Sequence, residues 1–239
     1  MPQPQPCRFK ERLHESLKSS TSNFPTVHLD KQQPVYICGD AARSVYFIQS
    51  GQIKLLMLSP DGKECLLAIH TAGDIFGELS LALSDERQET ATAMGITTLT
   101  RIPSAAFLQH LADNSLVASF VQYLANRVGE QQQVISHLLT VDCEHRFGET
   151  LLLLARKLGQ PDPRSTRIEQ KITHEELSEM VGTTRPRITT FMQKFQALGF
   201  VEMTAQHFLI VKERKLSNYL AGVSLGLVAL LSSSWKVFL

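Results

Sequence analysis

At 239 residues the chain is long enough for two small folded units and too short for a large enzyme core with a regulatory module. An apolar share of 43%, a charged share of 20%, 13 Gly and 10 Pro exclude disorder and a collagen-like repeat. Lys and Arg total 24 against 23 Asp and Glu, for a formal charge of +1, so nucleic acid as a partner rests on where the basic residues cluster and not on their sum.

Residues 1–23 form an N-terminal tail with a short helix. It opens MPQPQPCRFKERLHESL, which lacks the apolar core of a signal peptide and points to the cytoplasm. Cys7, Cys38, Cys65 and Cys143 are widely spaced, with no C-x-x-C pair, as expected of reduced thiols. A strand-rich domain is expected over 24–108. From Phe24 to Pro103 short apolar runs alternate with glycine turns: PVYICGD, SVYFIQSG, QIKLLMLSPDGK, ECLLAIHTAGD, IFGELSL and TATAMGITTLTRIP. This rhythm predicts a small antiparallel barrel or sandwich. Asp61-Gly62 between two such runs is a hairpin signal, because a type I′ turn needs positive φ at both central residues.

Past Ser104 the period changes. Apolar residues from Leu116 to Leu139 recur at three- and four-residue steps, which predicts a long helix within 109–140. Its length and persistent apolar seam predict pairing with a second copy through Leu116, Phe120, Leu124, Val128 and Ile135. A further helix, Arg146 to Leu158, is followed by GQPDPRST, read as a loop from its Gly, Pro, Asp and Ser.

Within 141–215 the pattern is more telling. Thr173 and Glu176 have capping-box spacing and start a short helix through Met180. Gly182 supplies a turn; Thr183 or Thr184 caps the next helix, which carries Pro186 in its first turn and stops at Gly199. Helix, glycine turn and capped helix is helix-turn-helix grammar, and FVEMT with HFLIVK, joined at Ala205-Gln206, adds a wing. Between Thr183 and Gly199 the charged residues are Arg185, Arg187 and Lys194, whereas the preceding helix carries Glu175, Glu176 and Glu179. A recognition helix enters the major groove by its N-terminal turns, which places Arg185, Arg187, Thr190 and Gln193 at base edges. Thr183 and Thr184 suit phosphate. Residues 216–239 form an apolar tail. Its uncharged run from Tyr219 to Leu231, 13 residues, falls short of the roughly 20 needed to span a bilayer.

From Pro34 to Val211 the chain resembles the Crp/Fnr family of bacterial transcription regulators. The resemblance is carried in order by GD at Gly39-Asp40, IxxG from Ile48 to Gly51, DGKE from Asp61 to Glu64, GDIFGELSL from Gly73 to Leu81, and VGTTRPRITTFMQKFQALGFVE. It implies an α+β fold: an antiparallel β-barrel of the double-stranded β-helix or jelly-roll type, a long dimerisation helix and a C-terminal winged helix-turn-helix. It further implies double-stranded DNA, a second copy of the chain and RNA polymerase as partners, and a near-palindromic operator.

Where relatives bind cyclic AMP, the resemblance places an effector pocket at Gly77, Glu78 and Leu79, at an Arg-Ser pair about ten residues later, and at a hydroxyl-bearing pair in the long helix. Here the ungapped Arg-Ser positions hold Gln88 and Glu89, with Arg87 adjacent, and the helix pair aligns with Gln131 and Gln132. A carboxylate facing a cyclic phosphate repels it, so the effector is expected to differ from cyclic AMP unless a one-residue shift brings Arg87 in. An iron–sulfur branch needs an N-terminal cysteine cluster, where only Cys7 stands; a haem branch would look to His70, whose bland reading is structural. No nucleophile–base pair, phosphate loop or metal-ligand spacing appears, so no enzyme, metal or resident cofactor is expected. The competing reading is a barrel-based ligand-sensing subunit of a membrane or signalling assembly, supported by the apolar tail alone.

Overall fold

A computed structural model describes residues 8–19, 24–58, 64–82, 85–140, 142–162, 165–168, 171–206 and 208–222. The chain divides into two units, Met1–Ile135 and Ser136–Leu239.

In the first unit, helix α1 (Arg8–Ser19) precedes strands β1 (Thr26–Leu29), β2 (Pro34–Tyr36), β3 (Ser44–Ser50), β4 (Gln52–Leu58), β5 (Glu64–Thr71), β6 (Ile75–Phe76), β7 (Thr90–Ala93) and β8 (Thr97–Pro103). These make two antiparallel sheets, β1-β8-β3-β6 and β2-β7-β4-β5. The sheets are jelly-roll-like; among the described residues they do not close into a ring. Tyr46 and Ile48 from one sheet meet Tyr36, Ile53, Leu55 and Ala91 from the other in a shared apolar core. On the outer face of the first sheet, Val45, Phe47, Ile75 and Ile102 are covered by Phe9 and Leu13 of α1, by Phe107 and Leu111 of α2 (Ser104–Asp113), and by Leu116, Phe120 and Tyr123 at the start of α3 (Val117–Thr140). Burial on both faces explains why β3 is a continuous apolar run instead of an alternating one. β4 and β5 pair from Gln52↔Thr71 to Leu58↔Glu64, a hairpin whose Asp61-Gly62 turn lies outside the described residues.

The second unit begins with α4 (Cys143–Leu158), where the Asp142 side chain accepts a hydrogen bond from the His145 amide at 2.8 Å. Strands β9 (Gly159–Asp162) and β10 (Ser165–Ile168) follow, then α5 (His174–Val181), α6 (Arg185–Ala197), β11 (Val201–Met203), β12 (Leu209–Val211) and α7 (213–222). The expected loop after α4 is instead a hairpin that joins the wing in one sheet, β11-β12-β10-β9. Pro161, which argued for a loop, lies in the edge strand β9 opposite Thr166, where a missing N–H is tolerated. The Tyr219 to Leu231 run enters α7 as far as 222; the rest of it, like Cys7, lies outside the described residues.

α3 corrects the expected seam. Leu116 and Phe120, at 1% and 6% exposure, belong to the chain's own core, whereas Val117, Val121, Val128 and Ile135 stand 49–59% exposed and Leu124 is half-buried. The helix carries two apolar stripes one residue apart, and the one that shares the sheet's core is unavailable to a second copy. α2 and α3 are separated by a turn in which Ser115 has φ +52°.

Candidate nucleic-acid interface and barrel interior

Thr173 caps α5 as expected: its hydroxyl accepts from the Glu176 amide at 3.1 Å, while the Glu176 carboxylate accepts from the Thr173 amide at 2.8 Å. Gly182 ends α5 at φ +68°, a left-handed conformation that a side chain would strain, and its amide and that of Thr183 both donate to Ser178 O. Thr184 occupies the N-cap position of α6 with extended backbone but makes no side-chain cap bond, and Pro186 sits in the first turn. Ile188, Met192 and Phe195 are buried. Thr184, Arg185, Arg187, Thr190 and Gln193 are exposed on the rest of the helix, and Thr183 is half-buried. The hydroxyls of Thr189 and Thr190 donate back to Arg185 O and Pro186 O, both at 3.2 Å. His174 Nδ1 lies 3.0 Å from Thr189 Oγ1, tying the start of α5 to the second turn of α6. The far end is held as well. Lys194 Nζ donates to both oxygens of Glu144 at 2.7 and 2.8 Å, Tyr219 OH donates to the same carboxylate at 3.0 Å, and Lys215 Nζ donates to Leu198 O at 2.7 Å.

Inside the first unit, in the bend that leads into β7, Arg87 and Glu89 are both buried and Gln88 between them is exposed. Gln88 is therefore not part of the interior, which corrects its expected place. Arg87 donates through one terminal nitrogen to Gly77 O at 3.0 Å and through the other to Ser44 O at 2.6 Å, and its guanidinium carbon lies 4.1 Å from the Tyr36 ring centroid. Gly77 permits this approach: a Cβ there would stand 2.7 Å from an Arg87 nitrogen. Tyr36 OH donates to Glu89 at 2.9 Å; burial, then the nearby Glu89 charge and that hydrogen bond, push the phenol well above its usual range. Glu78 accepts from Arg127 of α3 at 2.6 Å, and its second oxygen is buried without a hydrogen-bond partner. Leu79 is exposed, and Gln131 and Gln132 stand exposed on α3 outside this buried group.

Beside it, Asp74 accepts from Lys10 of α1 and, at 2.8 Å, from the Thr71 amide, and its Oδ2 is 3.8 Å from His70 Nδ1. Burial would raise the Asp74 carboxyl, but His70, Lys10 and the Thr71 amide together hold it below the carboxylate range. His70 is itself lowered, chiefly by burial. It stacks on Phe76 within the fold, in keeping with the structural reading of this histidine.

Comparison with known proteins matches residues 26–114 to the cyclic nucleotide-binding domain and residues 145–219 to the Crp-like helix-turn-helix domain. The chain belongs to the Crp/Fnr family of transcription regulators. Among its relatives in this family are the CRP-like cAMP-activated global transcriptional regulator of Mycobacterium tuberculosis, 25% identical over 85% of this chain and 91% of that protein, and the global nitrogen regulator of Synechocystis, 27% identical over 76% and 82%. The fold is shared with the c-di-GMP-responsive global regulator of Xanthomonas campestris, at a TM-score of 0.69, 20% identity and coverage of 87% and 99%. A CRP-family regulator of Thermus thermophilus gives a TM-score of 0.67 at 23% identity, covering 82% and 96%. Sequence reasoning about this Crp/Fnr chain missed Tyr36 and Ser44 in the sheets, Arg127 on α3, and Glu144 and Tyr219 behind the recognition helix. Each meets its partner across 43 to 75 residues of chain or through the fold of another element, so no local spacing announces it.

Proposed function

We propose that this Crp/Fnr regulator acts as a homodimer that reads a near-palindromic operator with α6 of each protomer, that it is a regulator and not an enzyme, and that its effector is not cyclic AMP. The observation that carries the reading is α6: its core face is satisfied within the second unit, while Arg185, Arg187, Thr190 and Gln193 remain exposed on a helix fixed at both ends. Arg can bond guanine O6 and N7 with two donors, and Gln can bond adenine likewise, which is base-edge chemistry. Thr184 and the helix N-terminus face phosphate in the same pose. On α3 the exposed Val117, Val121, Val128 and Ile135, with half-buried Leu124 among them, form a stripe that alternates steps of four and three over most of its length, the spacing of a two-stranded seam. A dimer built on it pairs two recognition helices, and two half-sites about one helical turn apart follow.

Arg87 supports the effector reading. Its terminal nitrogens already serve two main-chain carbonyls, and Glu89 lies buried in the same network. The membrane-subunit reading gains nothing from the fold, since among the described residues no helix is long and apolar enough to cross a membrane. Selection of bound duplexes from a random-sequence pool tests the function. A near-palindrome with half-sites about 10 bp apart, centre to centre, is the expected product; a pool that shows no enrichment overturns the reading.

A further inference from the structure

The charge that the recognition helix carries in its last turn is not offered to solvent alone. Lys194 lies on the exposed side of α6 one stripe with Arg187 and Thr190, at the i, i+3, i+7 positions that share a helix face. Its ammonium is held by both oxygens of Glu144, from the first turn of α4, and that carboxylate also takes the Tyr219 hydroxyl from α7. Helix-end electrostatics explain where each charge stands, acid at the start of α4 and base at the end of α6. They do not explain why the two meet. Stability is a weak reason, because the side chains are 48% and 24% exposed and exposed pairs contribute little. Close to a phosphate backbone the same pairing has a large consequence, since each cation placed on a phosphate strengthens binding to every sequence alike.

We infer that Glu144 is a positioning residue that withholds Lys194 from DNA, with Tyr219 fixing the carboxylate in place, so that α6 presents its base-reading side chains without an added sequence-independent contact. This rests on DNA binding by α6 and goes beyond it. Lys215 of α7 supports the geometry: its bond to Leu198 O anchors α7 to the end of α6, next to the turn that carries Lys194.

The test is the salt dependence of binding to random-sequence duplex, measured for the full chain as wild type, as Glu144→Gln, and as Glu144→Gln with Lys194→Gln. Freeing Lys194 should steepen the slope of log K against log salt by about 0.9 per recognition helix and tighten binding about five- to tenfold per helix near 0.1 M salt. The double variant, with a neutral pair in place of an ion pair, should return to the wild-type slope. A merely structural role for Glu144 would move the melting temperature and not this slope. An unchanged slope in Glu144→Gln overturns the inference, as does a double variant whose slope falls below the wild type, for then Lys194 was on phosphate from the start. Should Glu144→Gln not fold, amine labelling of the wild type decides: Lys194 is expected to label equally with and without duplex, and protection by duplex overturns the proposal. Failure of the wild type to bind duplex at all would instead remove the DNA-binding reading itself.

Discussion

Arg185 stands exposed in the first turn of α6, directly after a threonine that holds the N-cap position without a side-chain cap bond. A guanidinium there can reach a base edge, while Thr184 can reach only phosphate. Arg185→Ala is therefore expected to weaken operator binding by about 1 to 3 kcal/mol and to relax preference at one base pair per half-site. Thr184→Ala should weaken all sequences alike, and competition titrations with single-base operator variants separate the two. This contrast was legible in the sequence because caps, turn glycines and the clustering of Arg185 and Arg187 are local signals. Arg87 was not. Its neighbours Gly77 and Ser44 lie 10 and 43 residues away, and residues 87–89 are an irregular bend before β7, so no strand period shows that Arg87 and Glu89 are buried while Gln88 is exposed.

Helices are where the sequence misled. The apolar periodicity of α3 is real, but it serves two stripes, and a period cannot say which stripe meets its own sheet and which a second copy. Packing settles it: Phe120 is buried with Phe9, Phe107 and Tyr123 against the sheet face. Two substitutions on adjacent residues should then behave differently. Phe120→Ala opens a cavity against Phe9, Phe107 and Tyr123 and is expected to cost about 3 to 5 kcal/mol of folding stability. Val121→Glu should leave the fold intact and yield monomers with weakened operator binding, as checked by sedimentation. The link between α1 and the strands carries a pH dependence. His70 has a folded pKa below its ordinary value of 6.5, so the unfolded chain binds more protons, and stability present above that value is lost as pH falls beneath it. Asp74 has a depressed folded pKa, so its contribution, present above the ordinary carboxylate value of 3.8, is lost as pH falls further. Urea midpoints are expected to decline in two stages on acidification; His110, also lowered by burial, shares the upper one, so His70→Phe should shrink that stage without abolishing it.

At the scale of the whole molecule, the two units divide the labour that the family relationship assigns. The first matches a cyclic nucleotide-binding domain, and the second matches a DNA-binding one. A match to the domain does not carry the ligand with it. A cyclic phosphate seeking Arg87 must draw it from two carbonyl oxygens, leaving Gly77 O with the Ser80 amide at 3.2 Å and Ser44 O with the Ser80 hydroxyl at 3.4 Å in place of charged donors, with the Glu89 carboxylate close by. The Tyr36 and Tyr46 rings, over which the guanidinium rests, add to that cost by favouring the state it already occupies. Micromolar cyclic AMP is accordingly expected to leave both the melting curve and operator affinity unchanged. The measurement is sensitive enough to decide. A ligand at 100 times its dissociation constant stabilises the state it binds by about 2.7 kcal/mol, which on a unit of this size raises the midpoint by roughly 5 to 10 °C. Because the sites belong to different units, a ligand of the first should move the transition of that unit, whereas operator DNA should move that of the second. A cyclic AMP shift confined to the first unit and lost in Arg87→Ala would show that the guanidinium can leave its carbonyls for a phosphate, and the effector reading would fall with it.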